Sequence, residues 1–192
     1  MIVLLFSILT SSLLFAIFKL FNKYKVDNLS AIIINYLVAF LVGCFVEQSL
    51  IVPQSIEFPW FYSALAMGFL FISLFTLMAN TTISHGVTIT VLANKMSLVI
   101  PVVLAFLFIG EQINWIQFVG ISTALVGIVL TIMKPNQKLN LAHLKYPIIL
   151  FVGSGILDFG LKLNQLYLLG SSSFYSFVSI VFLSAFSIGI CY

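Results

Sequence analysis

Long apolar runs separated by short polar links dominate this sequence and leave it few ways to fold. A helix crosses the hydrocarbon core of a bilayer with about 20 mostly apolar residues. Runs of that size fall at 2–21, 29–46, 60–79, 87–109, 115–133 and 146–169, and a seventh occupies 174–192. Their continuity predicts helices, because a strand of a membrane barrel alternates apolar and polar residues over about ten positions. The expected fold class is therefore an all-α integral membrane protein. It is a polytopic helix bundle with six complete spans and a partial seventh, built around a lipid bilayer.

Charge is confined accordingly. Charged residues make up 7% of the chain, against about 25% in soluble domains. The basic ones are Lys19, Lys23, Lys25, Lys95, Lys134, Lys138, Lys145 and Lys162; the acidic ones are Asp27, Glu47, Glu57, Glu111 and Asp158. The net charge of +3 comes from lysines held mostly in two links, with no arginine and no basic stripe. That pattern excludes a nucleic-acid partner. Cys44 and Cys191 lie in apolar runs without metal-ligand spacing and are expected to be buried, reduced thiols. The first run has its lysines after it, with no basic segment before it and no small-residue cleavage site. It is expected to be a retained first helix, not a signal peptide.

The links support this spacing. Residues 22–28 are polar, 47–59 carry two prolines and two acids, and 110–114 make a tight turn. Residues 134–145 form the longest basic connection. Lysine counts favour the cytoplasm for the first, third and fifth links and place the N-terminus outside. Pairs of small residues four apart, which let membrane helices approach closely, occur at Ala39 and Gly43, Ala64 and Gly68, and Gly120 and Ala124.

The fourth run reads Lys95-Met-Ser-Leu-Val-Ile-Pro101 and closes on Gly110-Glu111, and the fifth carries Gly120 and Gly127-Ile-Val-Leu. Together these resemble the fourth and fifth helices of an EamA-like domain of the drug/metabolite transporter superfamily. The resemblance implies two inverted five-helix repeats: 1–133 as the first repeat, 134–145 as the basic link between repeats, and 146–192 as the start of an incomplete second repeat. On this expectation the chain is a truncated form, and a second half, in cis, from a half-transporter or from a homodimer partner, completes it. The resemblance also implies both termini in the cytoplasm, in conflict with the lysine count. A shift of 143 residues pairs Ser11 with Ser154, Leu14 with Leu157, Lys19 with Lys162 and Tyr24 with Tyr167, as an internal repeat would.

Ionisable and polar groups inside spans are costly and mark candidate pathways. Lys95 lies about two helical turns into the fourth run, and Pro101 cannot donate to the carbonyl of Ser97. Asn94, Lys95, Ser97 and that freed oxygen would form a polar patch facing a cavity; alternatively Lys95 extends its stem to the interface. Asp158 and Lys162, four residues apart, share a helix face and would either meet a zwitterionic substrate or only orient their helix. Asn35, Thr76 and Asn80 are expected to join helices, with Asn80 a further candidate for the pathway. Glu111 is expected at the membrane surface.

The first run has no acid, which argues against the mechanism of the small multidrug resistance relatives, whose first helix carries a glutamate. No HExxH, GxSxG or P-loop appears, and His85 and His143 are too isolated for a metal site. An enzyme, a cofactor and a resident metal are therefore not expected. The resemblance implies a secondary transporter in the cell membrane that exports small polar metabolites such as amino acids without ATP. A non-transporting structural or assembly protein is the alternative.

Overall fold

The computed structural model describes nine positions between residues 6 and 24, and residues 26–47, 58–110, 114–132, 141–169 and 174–191. Among the described residues there is no strand. The nine early positions, among them Phe6, Leu13 and Leu20, are helical, including Tyr24 in the expected first link. Helix α1 spans Asn28–Glu47, α2 Phe61–His85, α3 Val87–Met96, α4 Val99–Leu104, α5 Trp115–Ile132, α6 Leu141–Leu163 and α7 Phe174–Cys191. Two wider π-helical turns extend them, Ala105–Ile109 after α4 and Asn164–Leu168 after α6.

Among the described residues, five helical stretches are long and apolar enough to cross a bilayer: Asn28–Glu47, Phe61–His85, Val87–Ile109, Lys145–Leu168 and Phe174–Cys191. The chain is thus a membrane protein by the length and composition of its helices. The first expected run falls mostly outside the described residues, as do Lys19, Glu111 and most of the link 134–145.

Two helices extend beyond the bounds expected from the sequence. Helix α2 continues past residue 79 to His85, through Asn80-Thr-Thr82, which reads as a polar link. The hydroxyls of Thr81 and Thr82 donate to the carbonyls of Leu77 and Met78, at 2.6 and 2.8 Å, so each polar group is satisfied within its own helix. The helix stops at Gly86, whose φ of 90° is a left-handed conformation that glycine adopts without strain. Helix α6 begins at Leu141 and holds Pro147 inside it, five residues ahead of the expected start at 146.

The chain divides into two compact units, one made of Met1–Asn28 and Leu77–Gly155 and the other of Leu29–Thr76 and Ile156–Tyr192. The second is organised around α7. A Cβ on Gly43 would collide with Ser179, and one on Gly189 would lie 2.7 Å from Ile33, so α1 and α7 run antiparallel in close contact. Gly68 lies against Ser184 and Ala185, and the Trp60 and Phe177 rings meet edge-on at 5.8 Å; α2 and α7 therefore run parallel. Trp60, Ala64, Leu169, Phe177, Ile180 and Val181 form the buried core of this unit. Tyr36 adds a second aromatic group, stacked on Phe182 and edge-on to Phe75.

The first unit is more open. Helices α3 and α5 are in contact, Gly155 of α6 abuts Ile100 of α4, and the His85 and Tyr146 rings lie 6.0 Å apart. Most described side chains of α5 are exposed.

Candidate functional site

The fourth run does not fold as one uninterrupted helix. It breaks at Ser97 and Leu98, between α3 and α4, four residues ahead of Pro101. The freed carbonyl expected at Ser97 is taken: the N–H of Ile100 donates to it at 2.9 Å, in a tightened turn. The Ser97 hydroxyl also turns inward and donates to the Asn94 carbonyl at 2.5 Å. The break is thus satisfied by its own backbone and side chain, a requirement wherever helices are interrupted at membrane depth.

The expected patch is divided by this geometry. Ser97 is fully buried, Asn94 and Pro101 are half-buried, and Lys95 is exposed. Residues 95 and 97 lie on roughly opposite sides of a helix with 3.6 residues per turn. Asn80 and Asn35 are exposed, and the Asn80 carbonyl accepts the Ser84 hydroxyl at 2.7 Å. Cys44 is half-buried, but Cys191 is exposed at the end of α7. The expectation of two buried thiols is corrected there, because an apolar run in a membrane helix has a lipid-facing side.

The second unit gathers polar groups that the sequence did not single out. Asn164 is buried where α6 widens into its π turn. Its Nδ2 donates to the Gly160 carbonyl at 2.9 Å, and its Oδ1 accepts a short hydrogen bond from the Ser63 hydroxyl of α2. Ser63 also lies 2.7 Å from the Trp60 carbonyl. The Asn164 carbonyl accepts the N–H of Leu169 and closes the wide turn at 3.0 Å. One side chain therefore ties the end of α6 to the start of α2. Asp158 and Lys162 precede it on the same helix and are both half-buried. A second cross-helix bond runs from the Ser184 hydroxyl to the Leu65 carbonyl, at 3.1 Å. At the far end of α1, the Ser176 hydroxyl donates to Glu47 Oε1 at 3.1 Å.

Ser63, Asn164 and Ser184 carry no distinguishing spacing in the sequence. A serine in an apolar run reads as neutral, since its hydroxyl can bond back to its own helix. Only the partner across the interface gives it a role. Asn164 had the one available signal, an amide two residues beyond the pair Asp158 and Lys162.

A curated protein of Haemophilus influenzae, described as uncharacterized, is 28% identical to this chain over 166 residues. The match covers 81% of this chain and 56% of that protein, so the chain spans little more than half the length of its relative. No family profile matches the sequence, and no solved structure matches it. The class defined by fold and composition is thus an all-α membrane protein.

Proposed function

We propose that the chain forms part of a secondary transporter, a multi-pass protein of the cell membrane that moves small polar metabolites such as amino acids by alternating access, without ATP. The observation that carries this reading is the polar series on α6. Asp158 and Lys162 are half-buried one helical turn apart, and the buried Asn164 follows at a π turn. An acid and a base at membrane depth cost free energy that a structural helix would avoid, and π turns recur at functional sites. A carboxylate and an ammonium on one face offer complementary partners to the two charges of an amino acid. The interrupted helix at Ser97 is also of the kind that lines substrate paths in secondary transporters.

The EamA-like pattern of inverted repeats supplies the architecture for this proposal, with a second half-transporter or a homodimer partner completing the pathway. The test is counterflow of labelled amino acids in proteoliposomes holding the complete gene product. Asp158→Asn and Lys162→Met should each lower flux about tenfold or more, the scale of one lost charged contact. Normal insertion with unchanged flux in both variants would reject the role of this series.

A further inference from the structure

The second unit has a cleft of about 310 Å³ between α1, α2 and α7, lined by Leu29, Phe69, Ile72, Ser73, Thr76 and Ile188. Four of its walls are apolar side chains, and among the described residues no charged one lines it. A water molecule occupies about 30 Å³ in the liquid, so the space is ligand-sized, at the small end of the usual range. Phe69 and Ser73 are exposed, so the cleft opens on the helix surface.

Thr76 sets this cleft apart from an ordinary groove between helices. On the same helix Ser73, Thr81, Thr82 and Ser84 each donate their hydroxyl to the carbonyl four residues back, at 2.6–2.8 Å. Thr76 does not. Its Oγ1 is buried and has no hydrogen-bond partner among the described residues. A buried hydroxyl without a partner is unfavourable, and an i−4 carbonyl is the partner a helical threonine normally uses.

We infer that this cleft binds a small neutral molecule with an apolar body and a single hydrogen-bond acceptor, such as a carbonyl, held by the Thr76 hydroxyl. The walls of Leu29, Phe69, Ile72 and Ile188 take the body, and a lining of this kind favours a neutral molecule over an ion. This site is separate from Asp158 and Lys162 and does not depend on the transport reading.

Benzophenone matches this description, with two rings and one ketone, and it crosslinks to neighbouring C–H groups under light. With the protein in lipid nanodiscs, labelling should saturate and map to peptides holding Leu29, Ile72 or Ile188. Thr76→Val keeps the shape and removes the hydroxyl; it should raise the half-saturating concentration about two- to tenfold, the effect of one neutral hydrogen bond. Ser73→Phe fills the cleft from its exposed side and should abolish the saturable labelling, with size-exclusion behaviour confirming that each variant is folded. A phospholipid carrying a diazirine in its acyl chain, run in parallel, should label the outer surface broadly, including the exposed Phe45, and respond to neither variant. Benzophenone labelling that rises linearly, spreads to Phe45, or stays unchanged in both variants would overturn the site. So would phospholipid labelling concentrated in the cleft and lost in Ser73→Phe.

Discussion

Helices α2 and α5 are both long and apolar, and both carry small residues four apart, yet their glycines meet opposite surroundings. Gly68 of α2 lies so close to α7 that an added Cβ would be 2.6 Å from Ser184 Cβ and 2.8 Å from the Ala185 nitrogen. Around Gly120 and Gly127 of α5, no atom of the described residues lies within 4 Å of such an atom. Trp60, just before α2, is 1% exposed, whereas Trp115 at the start of α5 is 74% exposed. Hydropathy does not explain the difference, since the exposed α5 is the more apolar of the two. What separates them is whether another helix offers a surface that fits: α7 presents Ser179, Ser184 and Gly189 at the spacing that α1 and α2 need. In lipid, where the tails are as apolar as the side chains, such close packing and its hydrogen bonds are the main source of helix association.

That contrast can be tested by substitution, with stability read from unfolding in mixed detergent micelles. Gly68→Val should have the largest effect, about 3 kcal/mol of destabilisation, because the new methyl groups meet backbone that cannot rotate away. Phe177→Ala comes next. It empties the ring position against Trp60 and should cost about 2 kcal/mol, less than in a water-soluble core because lipid also solvates the ring. A double-mutant cycle on Ser63→Ala and Asn164→Ala should give a coupling of about 0.6 kcal/mol, typical of hydrogen bonds between membrane helices. Gly120→Ala should change stability least, within about 0.5 kcal/mol, or raise it slightly through helix propensity. If Gly120→Ala proved as damaging as Gly68→Val, the difference between the two helices would collapse.

Much of the helical layout was legible from hydropathy. The expected runs 29–46, 87–109 and 115–133 agree with the helical stretches to within a residue at each end. The end of α2 was not legible, because Thr81 and Thr82 look like link residues until their hydroxyls are seen bonding within the helix. In the sequence, Pro101 reads as freeing the Ser97 carbonyl within one continuous run, but the break at Ser97 and the turn in which the Ile100 N–H takes up that carbonyl are announced by no residue type. Gly43 and Gly68 were visible as small-residue pairs, yet so was Gly120, and only the structure separates contacts from chance spacing. Ser63 and Asn164 belong to residue types that are as much at home facing their own helix as a neighbour. Their bond is a property of two helices 101 positions apart in sequence.

The central claim is that α1, α2 and α7 cross the membrane side by side, with α1 opposed to the other two. Single cysteines near their ends test this directly, in a background with Cys44→Ala and with Cys191 either kept or replaced by alanine. A membrane-impermeant maleimide added to sealed vesicles should reach Ser30→Cys and the native Cys191 from one side, and Tyr62→Cys and Tyr175→Cys only from the other. Labelling of all four positions from the same side would contradict the account.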